Sequence, residues 1–111
     1  MDSRLLWGTV EMLVLEILSR GPSYGYQITQ AVLGQSNGYF QLTEGCLYPA
    51  LHRMERQKWL TSYWMNTDEK RRRKYYRITA KGRGVLETKR QEWTQFSKSV
   101  NGVLEQAFEL A

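Results

Sequence analysis

The sequence has very few of the residues that build metal and disulfide sites. It contains one cysteine, Cys46, and one histidine, His52, among 111 residues. A single cysteine cannot form an internal disulfide, which fits a reducing cytoplasm. The same shortage argues against a structural zinc site, because such a site takes four ligands that are mostly of these two types.

Long uninterrupted apolar runs are also lacking. The most apolar segment, residues 5–18, is broken by Glu11 and Glu16, and no small-residue cleavage site follows it. This segment fits neither a membrane span nor a secretory signal peptide. We therefore expect a compact cytoplasmic protein.

The composition is that of one globular domain with a cationic surface. A chain of this length has room for a single core, and 41% of its residues are hydrophobic. Lys and Arg number 16 against 11 Asp and Glu, which gives a net charge of +5. Such an excess indicates an anionic partner if the charges are clustered.

The first apolar segment has the spacing of a helix with two apolar rows. A helix that is apolar over so much of its circumference is usually covered from two sides. The second side is either another subunit or the remainder of the chain's own core, and both interpretations stay open. The rows are Leu6, Val10, Leu13 and Ile17, and Trp7, Val14 and Leu18.

Two shorter helices are predicted next. Gly21-Pro22 ends the first helix, and Ser23 is the predicted cap of the second. Gly25 in its first turn indicates a close approach of the backbone, to a neighbouring helix or to a phosphate. Thr43 is the predicted cap of the third helix.

The third helix has one apolar face and one polar face. The apolar face carries Leu47, Leu51 and Met54 at helical spacing, and Pro49 is an awkward helical residue because it removes a donor. The polar face is of the kind that reads base edges. It collects Glu44, Tyr48, His52, Arg53 and Arg56.

The hydrophobic period then changes to two, which predicts a β-hairpin. Its arms are residues 60–65 and 74–78, and the turn-rich residues 66–69 lie between them. The returning arm begins with the five consecutive basic residues 70–74. A basic run is either a solvated loop or a nucleic-acid contact.

Thr79 is the predicted cap of a long final helix with a heptad repeat. Heptads are typical of a helix that packs along another helix, and a twofold dimer is the commonest way to cover such a stripe. The alternative is that the helix folds back onto the first helix of its own chain. The repeat is Leu86, Trp93, Val100 and Ala107, with Phe96 and Val103 or Leu104 between.

Together these elements predict a mainly α fold with a small β-hairpin, a winged helix-turn-helix. Residues 1–78 would form the DNA-binding domain, with the first helix also at the dimer interface. Residues 79–111 would form the dimerisation helix, as part of one structural unit. A helix fits the major groove, and a basic hairpin can lie over phosphates or in the minor groove.

Catalysis has little support in the sequence. His52 has no serine, cysteine or carboxylate that can be argued to be its partner. The glycines do not form a phosphate loop, since no Lys-Ser or Lys-Thr follows them. We expect no enzyme activity, no cofactor and no metal.

Three motifs resemble the PadR family of bacterial transcriptional regulators. They are Ser-Tyr-Gly-Tyr at 23–26, Glu-Gly-Cys-Leu-Tyr-Pro-Ala-Leu-His-Arg-Met-Glu at 44–55, and Arg-Arg-Lys-Tyr-Tyr-Arg-Ile-Thr at 72–79 with Lys81-Gly82. The likeness covers nearly the whole chain, and its length matches the short subfamily. The resemblance implies a homodimeric repressor on a palindromic operator, with the last helix packed against the partner's first and last helices.

The resemblance also implies a small-molecule effector in some cases. Some short members bind flat aromatic compounds at the dimer interface, where a tryptophan of the last helix stacks on the ligand. Trp93 occupies the matching position, so it is either a ligand platform or interface core. The expected ligand-binding residues are Trp7, Trp93 and Phe96.

The expected DNA-binding and interface residues follow from these arguments. Tyr48, His52 and Arg53 would face the major groove, with Tyr24 and Thr43 near phosphates. The wing would contribute Lys70, Arg71, Arg72 and Arg73. The expected dimer interface consists of Leu6, Val10, Leu13, Val14, Leu86, Trp93, Val100, Val103, Leu104 and Ala107.

Two positions depart from the family pattern. Lys58 stands where the family usually has glycine, so it must either adopt a positive φ or end the third helix differently. Cys46 stands where threonine or serine is usual, which removes a hydroxyl that could touch phosphate.

Two other classes of function remain as alternatives. One is a small-molecule-binding module centred on Trp93, with DNA release as its output. The other is an adaptor that uses the winged helix to bind a protein.

Overall fold

The computed structural model describes residues 3–68 and 70–110, and the side chains of 8–68 and 70–105. The side chains of Leu6, Trp7 and Ala107, which were expected at an interface or ligand site, lie outside this described part. Glu69 of the predicted turn lies outside it as well.

The described chain forms four helices and a three-stranded antiparallel sheet of order β1-β3-β2. This arrangement confirms the predicted class, a mainly helical winged helix with a long C-terminal helix. In chain order the elements are α1 (Ser3–Ser19), β1 (Ser23–Tyr24), α2 (Gly25–Gln35), α3 (Glu44–Arg56), β2 (Leu60–Asn66), β3 (Arg72–Ile78) and α4 (Ala80–Leu110).

The start of α2 differs from the sequence prediction. Ser23 does not cap the helix, because Ser23 and Tyr24 form β1 and pair with Tyr76 and Tyr75 of β3. Tyr24 is the N-cap residue instead, and its amide donates to Gln27 Oε1 at 3.3 Å. The two-residue strand has no periodicity of its own, so only its pairing with β3 identifies it.

Both predicted threonine caps are confirmed. The Thr43 hydroxyl accepts a hydrogen bond from the Cys46 amide at 3.2 Å, at the start of α3. The Thr79 hydroxyl accepts from the Gly82 amide at 3.0 Å and donates to the Lys58 carbonyl at 2.7 Å. Thr79 therefore both starts α4 and ties it to the end of α3.

The core lies between α1, the inner sides of α2 and α3, and one face of the sheet. Val10, Val14 and Leu86 are among its buried members, with exposures of 1%, 0% and 5%. The chain's own core covers these side chains, and their expected place at a dimer interface stays a prediction. At Val10 and Val14, α1 packs in the core of its own chain.

In the described residues, the first part of α4 packs on α1. Two ion pairs hold it to α1, one between Glu11 and Lys89 and one between Glu16 and Arg90. The two glutamates lie five residues apart, and each pairs with one of two adjacent cations. Beyond Arg90, the described part of α4 carries an exposed apolar stripe. The stripe consists of Trp93, Phe96, Val100, Val103 and Leu104.

Among the described helices, none has both the length and the apolar character that a membrane span requires.

Candidate nucleic-acid interface

The register of the sheet divides its side chains into two faces. Residues that pair directly across antiparallel strands point to the same side, and successive residues alternate. One face carries Leu60, Tyr76 and Ile78, which are buried in the core. Trp64 and Lys74 pair on this same face but lie beyond the core, where the sheet extends past α3.

A groove of about 440 Å³ lies between α3 and this outer part of the sheet. Its two walls come from elements distant in sequence, so no single motif contains it. Cations line one wall, and the exposed side of α3 forms the other. The lining residues are Tyr24, Gly25, Tyr48, His52, Trp64, Arg72, Arg73, Lys74 and Tyr76.

Strand alternation directs successive members of the basic run to opposite sides of β3, but Arg72, Arg73 and Lys74 all line the groove. The Arg72 guanidinium lies 5.0 Å from the Trp64 ring on the groove side. The Arg73 guanidinium lies 4.3 Å from the ring of Tyr24, at the margin of the groove. Contacts of this kind between cations and aromatic faces hold the side chains in place.

Lys70 and Arg71 lie in the turn at the tip of the wing and are exposed. The turn is closed by the Thr67 amide, which donates to the Arg71 carbonyl at 2.8 Å. The Lys70 amide donates to the Thr67 carbonyl at 2.9 Å, and Lys70 has a φ of 60°. The cations at the tip are therefore presented by a defined turn.

On α3, the structure brings Tyr48 and His52 together in the groove. Arg53 does not join them, which corrects its expected position. It lies on the opposite flank of the helix, where it donates to Glu11 Oε1 of α1 at 3.1 Å. The helical period separates Arg53 from His52 by about 100°, which is enough to turn it toward α1.

Thr43 lies at the exposed N-terminal end of α3, outside the residues that line the groove. Its hydroxyl oxygen already accepts the Cys46 amide. Cys46 itself is half-buried and packs against the core. Thr43 is thus separate from the group that the groove brings together.

Sequence reasoning missed Trp64, Lys74 and Tyr76 as groove residues. Trp64 is 56% exposed although it is a large aromatic side chain. A signal was available for Lys74, which belongs to the basic run 70–74, and Trp64 pairs with it across the hairpin. The buried neighbour Tyr76 could be found only from the packing of β3.

Tyr76 forms the floor of the groove and is almost completely buried. Burial raises the pKa of its phenol, and the nearby Glu55 and Tyr48 raise the pKa further. Glu55 accepts a hydrogen bond from the Ser62 hydroxyl of β2. The groove floor is therefore a neutral phenol at physiological pH, beside a carboxylate that ties α3 to the sheet.

Lys58 resolves the first departure from the family pattern, since it adopts a φ of 67°. The Trp59 amide donates to the Met54 carbonyl at 2.9 Å and the Lys58 amide to the Glu55 carbonyl at 3.0 Å. These two bonds form a Schellman motif with Lys58 at the position that usually holds glycine. α3 therefore ends as it would with glycine, and the connection to the wing is preserved.

A second groove, of about 220 Å³, lies between α1 and α4. Trp93 and Phe96 line it with their rings stacked, at a centroid distance of 5.9 Å and an angle of 29°. Trp93 is 50% exposed and Phe96 is 54% exposed. The other lining residues are Gly8, Thr9, Met12, Lys89 and Glu92.

The described residues hold no group of three or more His, Cys, Asp or Glu side chains that could bind a metal ion. What they do form is a helix with a polar outer face beside a cationic hairpin. That combination defines the winged helix-turn-helix class of DNA-binding domain.

Comparison with known proteins identifies the family. The sequence profile described as "Transcriptional regulator PadR-like family" matches residues 14–88. The chain therefore belongs to the PadR-like family of DNA-binding transcriptional regulators, whose members are regulators and not enzymes.

Solved structures agree with this assignment. A transcriptional regulator from Clostridium thermocellum is 33% identical, with a TM-score of 0.80 over 88% of this chain and 95% of that one. A PadR family regulator from Clostridium difficile is 38% identical, with a TM-score of 0.73 over 86% of this chain and 97% of that one. Among curated proteins, the transcriptional regulator YqjI of Escherichia coli is 28% identical. The aligned region covers 77% of this chain and 39% of that longer protein.

Proposed function

We propose that the protein is a dimeric repressor whose two winged helices bind a palindromic operator in the cytoplasm. The observation that carries this proposal is the groove between α3 and the wing, in which Tyr48 and His52 face Arg72 and Lys74. α3 enters the major groove, where base edges carry a full code of donors and acceptors. The wing lies along the adjacent phosphates or in the minor groove.

The site residues divide by what they contact. Tyr48 and His52 contact base edges, because they are exposed on the outer side of α3. Tyr24 and Thr43 lie near phosphates at the starts of α2 and α3. Arg53 holds α3 on α1 through Glu11 and so acts on DNA binding indirectly. The phosphate contacts of the wing come from Lys70, Arg71, Arg72 and Arg73.

The partner that covers the distal part of α4 is a second copy of the chain. The stripe from Trp93 to Leu104 is apolar and exposed over several turns, and such a stripe is costly to leave in water. A twofold dimer covers both copies of it at once and presents two wings to one duplex. Leu13 of α1 is half-buried, and in this proposal it borders the interface. Residues 1–78 then serve as the DNA-binding part and 79–111 as the dimerisation helix.

A gel shift with the DNA upstream of the protein's own gene tests the function. Binding that is at least about 1,000-fold tighter than to unrelated DNA at physiological salt is the expected result for a specific regulator. Repression is then measured with a reporter driven by the same DNA. A shift that is equal on both DNAs, or a reporter that rises when the protein is present, would contradict the proposal.

A small-molecule effector is a second candidate, supported by the groove between α1 and α4. The stacked pair of Trp93 and Phe96 offers flat apolar surface to a planar aromatic compound. In this proposal such a compound occupies the dimer interface and releases DNA. Quenching of tryptophan fluorescence by planar cationic or phenolic compounds, lost in Trp93→Leu, tests it. Equal quenching of Trp93→Leu and of the wild type would leave Trp93 as interface core.

A further inference from the structure

Gly25 begins α2 although its backbone does not require glycine. Its φ is not among the positive values of this chain, which among the glycines occur at Gly21 and Gly38. Glycine also weakens a helix relative to alanine. The reason for a glycine at this position therefore lies in its surroundings.

The phenol of Tyr48 occupies the space that a side chain at residue 25 would need. A Cβ atom added to Gly25 would lie 2.5 Å from Tyr48 Oη and 3.0 Å from Tyr48 Cζ. The second glycine of α2, Gly34, has nothing within 4 Å of the same added atom. The close contact is thus specific to the position that faces Tyr48.

We infer that Gly25 is a positioning residue for DNA recognition, because it lets Tyr48 lie back against α2 and keeps the groove open. This inference rests on the proposed function. Tyr48 is 38% exposed and shares the groove with His52 and Arg72. With a methyl group at residue 25, the hydroxyl of Tyr48 has to move away from the α2 backbone. The space open to the ring is then the groove itself, in front of the residues that meet the duplex.

The test is a double-mutant cycle between residues 25 and 48, with binding to the upstream DNA measured by fluorescence anisotropy. Gly25→Ala is expected to weaken binding by about tenfold, the loss of one good contact. The dependence of affinity on salt stays unchanged, since no cation is removed. Gly34→Ala, the same substitution in the same helix, is the matched control and binds like the wild type. In a Tyr48→Ala background Gly25→Ala has no further effect, because no ring remains to be displaced.

Two results would overturn the inference. One is a Gly25→Ala protein that binds like the wild type, and the other is the same loss in the Tyr48→Ala background. If Gly25→Ala fails to fold, the wild-type protein provides the test. Nuclear Overhauser contacts between the Gly25 Hα and the Tyr48 ring protons are expected there, and their absence would contradict the inference. A wild-type protein that binds no DNA would instead overturn the proposed function, and this role with it.

Discussion

The guanidinium of Arg53 on α3 lies 3.1 Å from the carboxylate of Glu11 on α1, and Lys89 of α4 lies 3.8 Å from the other oxygen of the same carboxylate. One acidic side chain therefore joins the recognition helix to the helix that extends toward the expected dimer partner. This contact explains why Arg53 is not in the groove. Because Glu11 contacts both Arg53 and Lys89, the orientation of α3 depends on the positions of α1 and α4.

Removing this link should weaken DNA binding without removing a phosphate contact. We expect Arg53→Ala to lower the free energy of unfolding by about 0.5–1 kcal/mol, since the pair is partly exposed. DNA affinity falls modestly while the salt slope is unchanged. Glu11→Gln also removes the contact with Lys89 and should cost at least as much, and the double variant should be no worse than Glu11→Gln alone. If Arg53→Ala reduces the salt slope by one, Arg53 contacts phosphate and its proposed role is wrong.

Replacing the wing arginines, unlike replacing Arg53, should change the dependence of DNA affinity on salt. Arg71→Ala, Arg72→Ala and Arg73→Ala combined should weaken binding to all sequences and reduce the salt slope by roughly 2–3 per protomer, as phosphate contacts are lost. A titration of affinity against ionic strength measures this. Lys98→Ala, on the side of α4 opposite the apolar stripe, is the control and leaves the slope as it was. An unchanged slope in the triple variant would reject the wing as the phosphate-binding element.

Lys58→Gly should stabilise the protein. Lys58 has a φ of 67°, a left-handed conformation that costs a residue with a side chain roughly 1 kcal/mol more than glycine. Thermal unfolding should therefore show a higher Tm, by several degrees for a domain of this size. Lys58→Ala keeps the Cβ atom and gives no such gain. An equal rise in both variants would mean that loss of the lysine charge, and not relief of the backbone, is responsible.

The buried phenol of Tyr76 predicts loss of stability at alkaline pH. Its folded-state pKa is raised above the ordinary value of 10.0 by burial, Glu55 and Tyr48. The folded state therefore holds this proton more tightly than the unfolded state does. Its contribution is fully present below pH 10 and is lost as the pH rises through the folded-state pKa. Chemical unfolding measured from pH 8 to pH 11 should show a shallower decline for Tyr76→Phe than for the wild type. Tyr39→Phe, at an exposed site, should follow the wild type, and a Tyr76→Phe curve parallel to the wild type would contradict the prediction.

A charge in the stripe of α4 should separate the subunits. Val100→Glu places a carboxylate between Phe96 and Leu104, where a second copy of the helix would have to desolvate it. We expect sedimentation to show dimers for the wild type at micromolar concentration and monomers for this variant. Lys98→Glu, on the other side of the helix, is the control and stays dimeric. A wild-type protein that sediments as a monomer would remove the basis of the proposed operator symmetry.

Local patterns in the sequence predicted the four helices and the hairpin in their order along the chain, but not the two-residue strand β1. Helical spacing located α1, α3 and α4, the two-residue period located the hairpin, and Thr43 and Thr79 marked helix starts through a local hydrogen bond that needs no distant partner. The resemblance to the PadR family was also visible in short sequence motifs. All of these features depend on residues within a few positions of one another.

Tertiary structure alone decided which side chains meet. Ser23 belongs to a strand because it pairs with Tyr76, Arg53 contacts Glu11, and Val10 is buried in the core of the chain. Tyr48 came to rest on Gly25, 23 positions earlier in the chain. In each case the outcome depends on the relative placement of whole helices and strands, which is set by packing across the core. Local sequence patterns predict periodicity and helix caps, but they do not predict the distance between two elements that are far apart in the chain.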